Sequence, residues 1–268
     1  SYAISPAAPA GTSFSTSTGL LTGTPTTVQG ATVYTITATN VTSTATQTFT
    51  LTVTVLTCAN GGSCTVGVDT GPGGGIVFYY SASAFTSTGS ACGINCHYLE
   101  AAPAGWIVSA SPASQTNCIT AGTSTDDPRC AWSGNTSIEI GSAAQGTAIG
   151  TGYANTSAII AQTNGGSTAG KAATVSRAYQ GGGKTDWFLP SQLELNQLCR
   201  YAWNLTVNNA AETCTGVTGT IRTGFSLIDY WSSSEYNAIF TRYHYFRTGG
   251  QANYEKNLVL YVRPVRAF

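Results

Sequence analysis

The sequence predicts two modules, an all-β sandwich over residues 1–56 and an α+β domain over residues 57–268. Three observations carry this reading. Residues 1–56 contain no cysteine and alternate apolar residues with Thr and Ser, the period-two pattern of strands with one buried and one wet face. All eight cysteines and all five tryptophans follow Thr57, together with the segments that show helical spacing. Only 8% of residues are charged, against about 25% in an ordinary soluble domain, so hydroxyls and amides supply the polar surface. Lys+Arg and Asp+Glu both number 11, which leaves no net field to draw in nucleic acid or an anionic membrane.

In chain order, residues 32–39 and 48–55 read as long strands because β-branched residues repeat every second position. Residues 19–25 and the run Asn40-Val41-Thr42-Ser43 read as turns. Gly73-Gly74-Gly75 is a turn feeding a buried strand over residues 76–80; a phosphate cradle would require a following Lys-Ser/Thr and a helix. An amphipathic helix is predicted over residues 152–162. A second covers residues 190–203, with Ser191 as cap and Glu194 completing a capping box. Beyond Gly224 come short aromatic-rich strands, the last over residues 261–268 with Pro264 at an edge or bulge. Trp187, Phe188 and Trp231 are assigned to the core.

The cysteines form an even set: Cys58, Cys64, Cys92, Cys96, Cys118, Cys130, Cys199 and Cys214. In a Thr/Ser-rich chain this predicts disulfides and an oxidising, extracellular or cell-surface setting. The spacings are unlike the paired Cys-x2-Cys of zinc sites. Connectivity stays open, with sequence neighbours favoured as partners. Cys92 to His97 is a stretched haem-attachment spacing, for which a local disulfide followed by an incidental His is the simpler reading. His97 and His244 are the two histidines, and neither sits in a nucleophile–base arrangement, so no catalytic residue is expected. No cofactor is expected either; calcium at Asp126-Asp127 is the one candidate, and a turn is favoured there. No apolar stretch approaches the roughly 18 residues of a membrane span. The absence of methionine marks a trimmed piece of a longer product, with any signal upstream.

The order Tyr2-x-Ile4-Ser5-Pro6, Ser17-Thr18-Gly19, Leu21-x-Gly23-Thr24-Pro25-Thr26, Tyr34-x-Ile36-x-Ala38-x-Asn40 and Thr48-Phe49-x-Leu51-x-Val53 resembles bacterial Ig-like surface repeats across residues 1–56. The resemblance implies a stalk or spacer. Such repeats begin a strand or two earlier, which implies an incomplete sandwich able to accept a strand from elsewhere.

Six further blocks occur in order: Gly74-Gly75-Ile76-Val77-Phe78-Tyr79, Leu99-Glu100-Ala101-Ala102-Pro103, Ala148-Ile149-Gly150-Thr151-Gly152, Gly181 to Ser191, Tyr230-Trp231-Ser232-Ser233-Ser234-Glu235-Tyr236 and Val262-Arg263-Pro264-Val265-Arg266-Ala267-Phe268. Together they resemble the C-type-lectin-like C-terminal domain of the Legionella collagen-like adhesin family. Part of that family serves as variable proteins of diversity-generating retroelements, in which adenines of a 3′ coding stretch are replaced. The resemblance then implies a variable region at about residues 224–268. Trp231 to Asn237, Phe246, Gly249, Gln251, Lys256 and Tyr261 to Phe268 would be fixed. The exchangeable positions would be Ile239 to Tyr245, Arg247, Thr248, Gly250, Ala252 to Glu255 and Asn257 to Leu260, and those expected to bind ligand are Ile239, Phe240, Thr241, Arg242, Tyr243, His244, Tyr245, Arg247, Thr248, Ala252, Asn253, Tyr254, Glu255 and Asn257. Leu258 and Leu260 share one face and suit a core. Replacing the two adenines of an Asn codon never yields Lys, Glu, Gln, Met or Trp, and Glu255 alone departs from that rule. Rigid aromatics suit a contact surface.

The expected function is a non-catalytic extracellular ligand-binding or adhesion protein with a diversified surface. Its partner would be a protein or glycan on another cell or virus, with no nucleic acid and no membrane insertion; oligomeric state is open. The alternatives are a fixed-specificity polysaccharide-binding adhesin and a structural subunit of an extracellular filament.

Overall fold

Alternating Thr and β-branched residues build the first of two units, Ser1–Thr57 and Cys58–Phe268, into which this computed structural model divides. The structure describes residues 1–106, 118–119, 127–207 and 212–268. In the first unit, β1 (Tyr2–Ser5), β4 (Gln29–Thr39) and β5 (Thr44–Val53) form one antiparallel sheet, and β2 (Thr12–Phe14) pairs with β3 (Leu21–Gly23). Tyr34 is buried and stacks on Phe49, its hydroxyl held by Gln29. The predicted turn after β4 forms because the Asn40 side-chain oxygen accepts the backbone N–H groups of Thr42 and Ser43. Val28, Val33, Val55 and Leu56 remain exposed, so the apolar faces of this sandwich are incompletely covered.

The second unit is mixed α+β. β6 (Ile76–Phe85), β7 (Cys96–Ala101) and β14 (Val265–Ala267) make one sheet, in the order β14-β7-β6. The other sheet contains β8 (Cys118–Ile119), β9 (Arg129–Ala131), β10 (Asp229–Glu235), β11 (Phe240–Tyr245), β12 (Gly250–Glu255) and β13 (Val259–Tyr261), in the order β12-β11-β10-β13-β9-β8. Helices α1 (Gly152–Ala161), α2 (Ala172–Ala178) and α3 (Gln192–Ala202) complete the unit. The single last strand expected over residues 261–268 is two strands in two sheets. Pro264, which lacks an N–H to donate, lies in the passage between them.

Two apolar cores result. Phe78, Leu99, Phe188, Leu198 and Phe246 belong to one; Trp132, Trp187, Leu189, Trp231 and Val262 belong to the other. Each of the five indole N–H groups donates to a backbone carbonyl: Trp106 to Val262, Trp132 to Ser232, Trp187 to Gly181, Trp203 to Phe246 and Trp231 to Cys130. Burial of these large rings therefore leaves no indole donor unmet. The disulfides join sequence neighbours: Cys58 with Cys64, Cys92 with Cys96, Cys118 with Cys130, and Cys199 with Cys214.

The glycine run before β6 cradles an anion that belongs to the chain itself. The N–H groups of Gly73 and Gly75 donate to the buried Glu100 carboxylate, which also pairs with Arg266 at 2.9 Å. The capping box of α3 forms as predicted, Ser191 accepting from Glu194 N–H and the Glu194 carboxylate accepting from Ser191 N–H. Gly150 N–H donates to the same carboxylate at 2.7 Å. No cation pairs with Glu194 among the described residues, and burial pushes its pKa up to about 7.

The folded carboxyl of Glu194 thus holds its proton more tightly than the unfolded one, whose ordinary value is 4.5. Its stabilising contribution is complete below that value and is lost as pH rises through about 7. At about 1.4 kcal/mol per unit, the change amounts to about 3 kcal/mol. Urea denaturation across this range should show stability of the second unit falling with pH, and Glu194→Gln should flatten that slope.

Candidate functional site

The surface expected to bind ligand is the β11–β12 hairpin, and its placement depends on an irregularity in β10. Trp231 opposes Tyr243 and Glu235 opposes Thr241, so the register shifts across Ser232, Ser233 and Ser234 as a bulge requires. All three serines are buried. Ser232 Oγ donates to Arg242 O, Asn155 Nδ2 donates to Ser233 Oγ, and Ser234 Oγ donates to Gly146 O while accepting Gln192 N–H. Small side chains that both donate and accept fit this crowded junction. They tie α1, the start of α3 and β11 to a single strand.

Glu235 ends the bulge. Its carboxylate is buried, accepts the N–H groups of Ile140 and Gly141, and pairs with the buried Lys256 ammonium at 2.6 Å. Lys256 also donates to Ala238 O and lies 5.3 Å from the centre of the Trp132 ring. Because Lys256 directly follows β12, this pair locks the far end of the hairpin to the scaffold. Two further internal pairs act nearby: Arg263 with Asp127 at 2.7 Å, and Arg266 with Glu100 and Asp186. Gly249 closes the hairpin with φ +72°, and a Cβ there would lie 1.8 Å from Cys214 O, so only glycine fits.

Most of the expected binding positions are open to solvent. Ile239, Arg247, Thr248, Ala252, Asn253, Tyr254, Glu255 and Asn257 are exposed, and Phe240, Arg242, Tyr243 and Tyr245 are half-buried. Register puts Tyr243, Tyr245, Ala252 and Tyr254 on one face. There Tyr254, 39% exposed, lies 5.3 Å from Tyr243 and 6.4 Å from the buried Trp231, centre to centre. Phe240, Arg242, Asn253 and Glu255 occupy the opposite face, with Arg242 over the exposed Tyr236 ring at 5.3 Å. Both faces reach water because β12 is an edge strand.

Two positions depart from the expectation of exposure. Thr241 is fully buried, its hydroxyl donating to Ser234 O in the bulge. His244 is 1% exposed; Nε2 donates to Gly249 O at 3.1 Å and Nδ1 accepts from Gln251 Nε2. Burial lowers the His244 pKa to about 3, so the ring is neutral in ordinary buffers. Gln251 is held in turn by Gln192 and Asn196. Leu260 is buried and Leu258 packs against the core, as their shared face suggested.

Other candidates resolve more simply. Asp127 does not present a calcium ligand: its carboxylate is buried against Arg263, and Asp126 lies outside the described residues. His97 Nδ1 contacts Ser81 O at 2.8 Å. The sulfurs of Cys199 and Cys214 lie within 4.8 Å of a His244 ring nitrogen, but they are bonded to each other.

Among the described residues, depressions adjoin the hairpin. One, about 290 Å³, is lined by Ser133, Thr136, Ser167, Lys171 and Asn257. Another, about 230 Å³, brings Tyr245 and Arg247 of the hairpin together with Arg129, Leu227, Asp229 and Tyr261. Those last four were absent from the sequence-predicted site, since β9, β10, β13 and the bend before β10 supply them. Their only local signal was the aromatic and charged character of residues 227–230 and 261. Burial raises the Asp229 pKa, and the positive charge of Arg247 partly offsets this.

Removing one partner of the Lys256–Glu235 pair leaves a buried charge unpaired, which typically costs about 3–5 kcal/mol. Lys256→Met should destabilise the second unit by that amount in urea denaturation, and Lys256→Met with Glu235→Gln should recover part of the loss. His244→Ala should cost about 2–3 kcal/mol, since it opens a cavity and strands Gly249 O. Asn253→Ser and Arg247→Ser, on open positions, should stay within about 0.5 kcal/mol of the parent.

Among proteins of curated function, none matches the chain. No helix among the described residues is long and apolar enough to cross a membrane. The family model described as "Putative Ig domain" matches residues 1–54, so the first unit is Ig-like, which fits an adhesion or surface role.

Proposed function

We propose that the second unit is a C-type-lectin-like, non-catalytic ligand-binding domain displayed outside the cell on the Ig-like unit, and that its β11–β12 hairpin is a diversified contact surface of the retroelement type. One observation carries the reading: within residues 231–268, most residues of the fixed class are buried and most ligand-binding positions are not. Fourteen of the nineteen fixed residues are buried, all but Tyr236, Asn237, Gln251, Tyr261 and Phe268, whereas twelve of the fourteen ligand-binding positions reach solvent. A scaffold bound by internal ion pairs and disulfides can carry different side chains on its edge strand at little cost in stability. Rigid tyrosines there supply contact area with few rotatable bonds. Four disulfides and the Ig-like unit support an oxidising, extracellular setting.

A fixed-specificity adhesin of the same architecture is the second reading, and His244 favours it. A buried, hydrogen-bonded histidine cannot be exchanged freely, so at least that position behaves as scaffold.

The test is a glycan and protein array probed with the full chain and with a variant carrying Ile239→Ser, Tyr243→Ser, Arg247→Ser and Tyr254→Ser. The parent should bind a small set of targets. The variant should lose them, weakening by at least about 100-fold as expected when central aromatic and Arg contacts are removed, while it still melts in a single cooperative transition. Equal binding by parent and variant would place recognition elsewhere.

A further inference from the structure

We infer that the depression between the hairpin and β9, β10 and β13 is a subsite for an acidic monosaccharide unit, a sugar ring bearing a carboxylate. The inference deepens the proposed function and rests on the hairpin being a contact surface.

Four observations converge on that chemistry. The depression is about 230 Å³, below the ~300–1,000 Å³ of drug-sized pockets, which suits one ring. Arg129 and Arg247 both line it, and neither forms an ion pair among the described residues. Each guanidinium instead lies over a tyrosine, Arg129 at 5.6 Å from the Tyr261 ring and Arg247 at 5.9 Å from the Tyr245 ring. Stacking of this kind orients the guanidinium and leaves its N–H donors free. Finally, Arg129 Nε and Asp229 Oδ1 are shielded from solvent with no hydrogen-bond partner. As the side chains stand these two atoms are closed to a ligand as well as to water, so a ligand reaches them only when each side chain turns into the depression, a turn that the unmet donor and acceptor favour.

Matching that wall takes a carboxylate for the two guanidiniums and an adjacent hydroxyl to donate to Asp229. An isolated carboxylate, such as a Glu side chain, answers the arginines and leaves Asp229 unmet. A neutral sugar answers Asp229 and leaves an excess positive charge beside the apolar ring faces. A uronic acid supplies both groups on one ring, with C–H faces to lie against Tyr245 and Tyr261. Arg129, Asp229 and Tyr261 belong to the scaffold, and Tyr245 and Arg247 to the exchangeable set, so part of this subsite persists when the hairpin sequence changes.

The full chain should be titrated with methyl glucuronide, methyl glucoside and N-acetylglutamate, with binding followed by NMR shifts and calorimetry. Methyl glucuronide should saturate, weaken with added salt, and bind at least tenfold more tightly than either other probe. Arg129→Gln and Arg247→Gln should each weaken it roughly tenfold, as expected for loss of a charge-assisted hydrogen bond, with melting unchanged. Equal binding of glucoside or of N-acetylglutamate overturns the assignment, as do absence of saturation by glucuronide and wild-type affinity in both arginine variants. If glucuronide fails while array targets still depend on the hairpin, the subsite alone is wrong. If glucuronide saturates while array binding ignores the hairpin substitutions, the hairpin reading alone is wrong.

Discussion

The buried serine bulge of β10, closed by the Glu235–Lys256 pair, is the junction on which the second unit depends. At Ser232 to Ser234 the strand stops pairing regularly with β11. Ser233 N–H donates to Pro190 O and Ser232 O accepts the Trp132 indole N–H, while the hydroxyls of Ser233 and Ser234 bond α1, the start of α3 and a neighbouring loop. Immediately afterwards Glu235 accepts two backbone N–H groups and the Lys256 ammonium. Both ends of the hairpin are thereby fixed: one continues from the bulge, the other is clamped by Lys256. Such junctions carry high stakes, because a half-satisfied buried network costs more than an apolar one.

This explains how a chain with so few charges uses them. Among the described residues, eight of the charged ones are buried: Glu100, Asp127, Glu194, Arg200, Glu235, Lys256, Arg263 and Arg266. Six of them form the three internal pairs around the sheets. Ion pairs of this kind add little net stability over apolar packing, but they fix register where strands cross between sheets, as β13 and β14 do on either side of Pro264. The surface is left to hydroxyls, amides and tyrosines. Neutral hydrogen-bonding groups avoid long-range repulsion.

Much of this was legible in the sequence, for identifiable reasons. The strands of the first unit, the capping box at Ser191 and Glu194, and the sequence-neighbour disulfides are local features, and each is present in the structure. Helix α2 was not legible: its seven residues, Ala172–Ala178, include no large apolar residue beyond Val175, and the helix packs against α1 with Ala172, Ala173, Val175 and Ser176 buried. The burial of Thr241 and His244 was not legible either. They are three apart, hence on opposite faces of β11, and no alternating pattern marks both as inward. Thr241 is covered because the bulge approaches it, and His244 because its face meets Phe246 and Gln251. The depression at Arg129, Asp229 and Tyr261 arises from pairing among distant strands, which spacing along the chain does not encode.

The central claim is that the open hairpin positions are energetically separate from the scaffold beneath them. The most direct measurement is a display library in which the twelve solvent-reaching positions are randomised together while Thr241 and His244 are kept, sorted by protease resistance and sequenced. The account predicts that most members stay folded, and that a matched library randomising Ser232 to Glu235 and Lys256 is almost wholly degraded. Similar survival of the two libraries, or collapse of the first, would contradict it.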